Sequence, residues 1–262
     1  MPTAVVVDFE TADLAPPRPG LGICEICVYL VEVVNGVGTV TDRYTAFNDP
    51  KMDITPEAYS AHGLNLELLN GKQVDWARAE TFFARADVAV AHSARFDRQW
   101  VGADWFQNRR WVCSLEQVDW KSVRMPCRCL RHLAWEHGVQ LSESHRAEAD
   151  VETLCNLLSA PHRGEGDYAT YWEELLDNAQ AQWVAVKAFG SPFEAKDVLR
   201  QNGWQWSANA KVWWKLARKD RLQEVGAWLL EHAYLGSESK AKQKRFVECD
   251  PSHPRFNEQY QL

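Results

Sequence analysis

The stretch AVVVDFET, Ala4 to Thr11, sets small apolar residues in a row and then two acids, Asp8 and Glu10, one residue apart. A short β-branched run of this kind, Val5 to Phe9, has the length expected of a buried central strand. In a strand, residues two apart project to the same side, so the two acids emerge together. Clustered carboxylates repel unless something positive sits between them. A divalent cation does that, and oxygen ligands select hard ions such as Mg²⁺ or Mn²⁺. One D-x-E is common, and taken alone a strand end meeting solvent is the simpler account.

Outward from this strand, GICEICVYLVEVVN (Gly22 to Asn35) and GTVTDRYTAF (Gly38 to Phe47) read as two further strands, with Asn35-Gly36 between them as a hairpin turn. Glu57 to Leu69, Trp76 to Ala86, Phe96 to Phe106, Leu130 to Glu136 and Ala147 to Leu158 have helical spacing. Val88 to Ala91 and Trp111 to Cys113 complete a set of five strands. A hairpin followed by alternating helix and strand predicts an α/β domain with a mixed sheet flanked by helices.

The cluster Pro161 to Gly166 breaks the pattern and ends a first domain, placed at residues 1–162. A connecting helix follows within 163–182, then a small tryptophan-rich α+β domain over 183–235 and a flexible polar tail over 236–262. Charge divides the same way. Residues 1–182 carry 16 Lys+Arg against 27 Asp+Glu, whereas 183–262 carry 13 against 9. The second part can approach a polyanion, although a solvated surface without a partner fits the charge equally well.

No secretory apolar region precedes the first acids, and no run reaches membrane-spanning length. Seven cysteines, an odd number without framework spacing, point to reduced thiols in a cytoplasm. Cys24 and Cys27 have CxxC spacing within an apolar strand and read as core thiols rather than zinc ligands.

Two later stretches make the acidic pair specific. AVAHSARFD (Ala89 to Asp97) leaves a buried strand and places an acid in the first turn of a helix. HRAEAD (His145 to Asp150) places a histidine five residues before an acid, with a helix starting between them. The ordered set Asp8, Glu10, Asp97, His145 and Asp150 thus offers four acids for metals and one imidazole able to take a proton near neutral pH.

This set, in this order, resembles the DEDDh exonucleases, the family of the DNA polymerase III epsilon proofreading subunit. The match spans roughly residues 4–160 and takes in ITPEAYSAHGL (Ile54 to Leu64) and CLRHLAWEHGV (Cys129 to Val139). It implies a ribonuclease H-like αβα fold and hydrolysis from a 3′ end with two Mg²⁺ or Mn²⁺, a pair about 3.5–4 Å apart that clamps attacking and leaving oxygens. By the same resemblance Asp8, Glu10 and Asp150 hold the catalytic metal, Asp8 also touches the second, and Asp97 acts through metal-bound water. His145 deprotonates the attacking water, its unperturbed pKa of about 6.5 leaving it largely neutral. Thr11 and His62 are implied substrate contacts. Phe9 and Phe96 read either as wedges beside the terminal base or as core aromatics. Where the family commonly has His-Asn-x-x-Phe-Asp, this chain has His92-Ser93-Ala94-Arg95-Phe96-Asp97, and Ser93 is expected to satisfy backbone groups of the turn.

Six of the 13 tryptophans fall at 183 or later. Trp204, Trp206, Trp213 and Trp214, with Lys211, are candidates for stacking bases and holding phosphates of single-stranded DNA, or else Trp residues that build a small core. SPFEAKDVLRQNGWQWSANAKVWWK (Ser191 to Lys215) is similar to a small C-terminal module on some bacterial epsilon-like exonucleases, which points to a bacterial or phage source. Docking to a polymerase or to another copy of itself is a competing use of the module. The sequence therefore predicts a 3′ to 5′ exonuclease releasing nucleoside monophosphates from DNA, with a 3′ to 5′ exoribonuclease or a noncatalytic nucleic-acid-binding or polymerase-binding subunit as alternatives.

Overall fold

The computed structural model describes residues 1–101, 109–123, 125, 127–141, 146–164 and 167–253. The chain divides into two compact units, Met1–Ala179 and Gln180–Leu262.

The first unit is built on β1 (Thr3–Thr11), β2 (Ile23–Val34), β3 (Val37–Phe47), β4 (Val88–Ala91) and β5 (Trp111–Cys113), in the order β3-β2-β1-β4-β5. The first three are antiparallel neighbours, and β4 and β5 run parallel to β1. The β2–β3 turn is made by Asn35 and Gly36, both at positive φ as a primed hairpin turn requires. Strand alternation sends Ala4 and Val6 of β1 to one face and Val5, Val7 and Phe9 to the other. The mixed sheet with helices on both faces is the ribonuclease H-like arrangement that the sequence predicts.

Along the chain the helices are α1 (Pro56–His62), α2 (Leu66–Leu69), α3 (Trp76–Arg85), α4 (Ala94–Trp100), α5 (Ser114–Gln117), α6 (Leu130–Glu136), α7 (Ala147–Leu158) and α8 (Tyr171–Gln180). α6, α7 and α8 cover the Ala4/Val6 face through Leu133, Val151, Leu154, Tyr171, Trp172 and Leu175. α3 and α4 cover the other face through Phe82, Phe83 and Trp100. The helix expected over Glu57 to Leu69 is two helices. Gly63, at φ 70°, caps α1 in the left-handed conformation, and Asn65 then caps α2 with its side chain. The expected connecting helix belongs to the first unit, because Tyr171, Trp172 and Leu175 bury in its core. Cys24 and Cys27 lie in different clusters, three residues apart on a strand, and so cannot converge on one metal.

The second unit holds a four-stranded antiparallel sheet of β6 (Trp183–Ala188), β7 (Gln205–Ser207), β8 (Val212–Arg218) and β9 (Arg245–Cys249), ordered β7-β8-β6-β9. Its helices are α9 (Lys196–Gln201), α10 (Leu222–Trp228) and α11 (Glu238–Ala241). Within the tail expected to be flexible over 236–262, Glu238–Ala241 forms α11 and Arg245–Cys249 forms β9, while residues 254–262 lie outside the described residues. Arg245 to Cys249 is short, follows directly on the charged run Lys240 to Arg245 and buries little of its side chains, which hides a strand from a hydropathy reading, yet its backbone pairs with β6 throughout. Among the described residues no helix is long and apolar enough to cross a membrane.

Candidate active site

The site forms where β1 outruns its parallel neighbour. β4 pairs with β1 only from Ala4 to Val6, so Asp8 and Glu10 lie beyond the carboxyl end of β4, the edge where α/β sheets place their ligands. Both acids follow Ala4 and Val6 on the face covered by α7. The β1–β2 register shifts between Glu10 and Thr11, ending regular pairing next to the acids.

α7 brings the third acid. Ala147, Val151 and Leu154 lay the helix on the sheet, and Asp150, one turn in from Ala147, points to the same side. Ligand oxygens of Asp8, Glu10 and Asp150 all lie within 4.8 Å of one another. Asp97, in α4, is 2% exposed. Its carboxylate accepts from the Phe9 N–H, while its Oδ1 is buried with no hydrogen-bond partner.

This crowding sets the electrostatics. Burial, then Asp97, Glu10, Asp150 and Glu25, push the Asp8 carboxyl well above the usual carboxylate range. Burial, Asp150 and Glu25 push Glu10 up to about 8, against the opposing pull of Arg146. Burial raises Asp97 to about 8. Protons are a poor substitute for a cation here. An all-oxygen set with an unpaired buried carboxylate oxygen fits a hard divalent ion, which would restore the charged form of each acid.

Residues 5–158 match the exonuclease family RNase_T. The chain belongs to this family. It is a 3′ to 5′ exonuclease of the DEDDh type, with a metal-dependent chemistry on nucleic acid. No curated protein matches it by sequence. Solved structures share its fold. Exonuclease X in complex with 5′ overhanging duplex DNA is 22% identical, covering 67% of this chain and 99% of its own, with a TM-score of 0.50. A structure of exonuclease I is 15% identical, covering 95% of this chain and 63% of its own, with a TM-score of 0.57. E. coli exonuclease I in complex with a dT13 oligonucleotide is 14% identical, covering 99% and 68%, with a TM-score of 0.55.

In this exonuclease His145 lies outside the described residues. Arg146, next to it, is described and anchors the start of α7. Its guanidinium donates to both oxygens of Glu25, at 2.8 and 2.7 Å, and stacks over Phe47 at 4.8 Å. The Ala147 N–H reaches the same carboxylate at 3.4 Å. Glu25 is the cross-strand partner of Glu10. Neither Glu25 nor Arg146 stood out in the sequence. The available signals were an acid interrupting the apolar run GICEICVYL and an arginine beside His145.

Several expected substrate contacts have other partners. His62 accepts the Leu64 N–H at Nδ1, 3.0 Å, so its Nε2–H donates to the Thr11 carbonyl, 3.1 Å. With both ring nitrogens used and its pKa lowered by burial, it is a neutral tie between α1 and the end of β1. The Thr11 hydroxyl donates to the Asp13 carbonyl. Phe9 is buried in the core, and Phe96, half-buried, packs edge-on against Trp100. Ser93 makes no capping hydrogen bond and sits at φ 82°, ψ 47°, contrary to the expectation that its hydroxyl serves the turn. The left-handed region tolerates Asn better than Ser. In the second unit Trp204, Trp213 and Trp214 are buried, whereas Trp206 is exposed.

Proposed function

We propose that this exonuclease degrades DNA from its 3′ end, single-stranded or 3′-tailed, releasing nucleoside monophosphates. The carrying observation is the convergence of Asp8, Glu10 and Asp150 within 4.8 Å, with the unpaired Asp97 oxygen buried in the same acidic cluster. These four acids would hold two Mg²⁺ or Mn²⁺ ions, which when bound neutralise the phosphodiester and favour attack at phosphorus. Asp8 and Glu10 are fixed by β1, Asp150 by α7 and Asp97 by its bond from the Phe9 N–H, so the acids need no rearrangement to act. His145 takes the proton of the attacking water as the new P–O bond forms and the bond to the 3′ oxygen breaks. The DNA named with the similar exonucleases X and I supports DNA over RNA.

The test offers labelled single-stranded DNA, duplexes with recessed or overhanging 3′ ends, and RNA, with Mg²⁺ or Mn²⁺ and with chelator. Shortening from the 3′ end of DNA, lost in Asp8→Ala and reduced about 10²- to 10⁴-fold in His145→Ala, is expected. Preference for RNA, or a His145→Ala rate equal to wild type, would overturn the substrate or the base respectively.

A further inference from the structure

In the second unit a cavity of about 420 Å³, in the size class of small-ligand sites, is lined by Phe193, Lys196, Arg200, Trp206, Lys211 and Trp213 among others. Phe193 is 74% and Trp206 51% exposed, a large cost in apolar surface for a unit this small. Trp206 and Trp213 are cross-strand partners on β7 and β8, with ring centroids 5.6 Å apart. The buried Trp213 packs beside Trp206 at an interplanar angle of 58°, which holds the Trp206 ring in place while leaving about half of it open to solvent. Lys196 Nζ lies 4.0 Å over the Phe193 ring. Lys211 holds a left-handed φ of 50° in the β7–β8 turn. The Asp197 carboxylate pairs with Arg200 at 3.6 Å, but both are well exposed, which makes the pairing weak.

We propose that this cleft binds single-stranded nucleic acid, stacking one unpaired base on Trp206 while Lys196, Arg200 and Lys211 hold the flanking phosphates. An aromatic platform ringed by cations matches a flat base attached to anions, and bases inside a duplex have no free face to offer. The binding unit is narrower than the tryptophan set suggests. Trp204, stacked under Trp228, and Trp214 build the core, and Phe193 takes part instead. The site goes beyond the hydrolytic centre of the first unit and does not rest on it.

Binding is read by fluorescence anisotropy of a labelled oligo-dT with the full chain in chelator, where no hydrolysis occurs. Trp206→Ala is expected to weaken binding about tenfold. A Lys196→Gln/Lys211→Gln double variant, which leaves the core untouched, is expected to flatten the salt dependence by about 0.7 for each phosphate that is no longer neutralised. Blunt duplex should bind more weakly than oligo-dT. Unchanged affinity and salt slope in both variants would overturn the site, as would loss of self-association in sedimentation with oligo-dT binding intact, which would assign the cleft to a second copy. Absence of nuclease activity with variant-sensitive oligo-dT binding would refute the proposed hydrolysis alone.

Discussion

Arg146 clamps Glu25 with two hydrogen bonds, 2.7 and 2.8 Å, joining β2 to the first residue before α7 across 121 positions of sequence. Glu25 is 1% exposed and faces Glu10, so one ion pair both seats the helix that carries Asp150 and places a cation beside the acidic cluster. Partners of this kind that orient metal ligands govern affinity without touching the metal. Glu25→Gln is expected to weaken Mn²⁺ binding about 10- to 100-fold by calorimetric titration. Arg146→Ala strands the buried Glu25 carboxylate and should also lower stability by up to ~3 kcal/mol in urea unfolding, the arginine's partial exposure limiting the loss. Wild-type metal affinity in both variants would remove this role.

Stability without metal should depend on pH in a defined direction. The unfolded chain releases the Glu10 and Asp97 protons near their ordinary values of 4.5 and 3.8, whereas the folded site keeps them to about 8. The folded state binds more protons across that window, so in chelator stability is fullest at the acid end and declines as pH rises toward 8. Metal ligands must be deprotonated, and the bound ion offsets their repulsion. The rise in Tm on adding saturating Mn²⁺ is therefore expected to be larger at pH 8 than at pH 5. Glu10→Gln in chelator should lose part of the pH dependence and respond less to Mn²⁺. Equal Mn²⁺ responses at both pH values would contradict liganding by these acids.

Ser93 stands in left-handed backbone without a capping bond. Replacing it with glycine, which adopts that conformation freely, should stabilise the protein by about 1 kcal/mol, and Ser93→Asn by less. A shift of the urea midpoint at constant slope is the measurement. No gain from either substitution would mean that the turn is not strained.

His62 separates a structural from a substrate role. His62→Ala leaves the Leu64 N–H and Thr11 carbonyl without their partner and is expected to cost about 1–3 kcal/mol. Substrate contact would instead raise KM and leave the unfolding midpoint in place.

The strands of the first unit were legible because their signals are local. Ala4 to Val7, Val88 to Ala91 and Trp111 to Cys113 are short apolar runs, and Asn35-Gly36 is a turn with its own backbone chemistry. Helix ends were less so, since the break at Gly63 depends on one left-handed residue. In the second unit β9 escaped notice, because this short, mostly exposed edge strand is made by pairing with β6 rather than by burying its side chains. The same limit applied to Trp204 and Trp206. Composition marks both as aromatic, and only packing decides that one stacks beneath Trp228 while the other lies at an open cleft.

By itself the sequence determined the alternation that sends Asp8 and Glu10 to one side of β1, and the order of acids that matches an exonuclease family. Tertiary structure decided what those acids meet: Asp150 within 4.8 Å, Asp97 with an orphaned oxygen, and Glu25 held by Arg146. Alternation is a property of neighbouring residues, fixed by backbone geometry. The repulsion that gives this site its need for cations arises only when residues from opposite ends of the first unit are folded into one low-dielectric space.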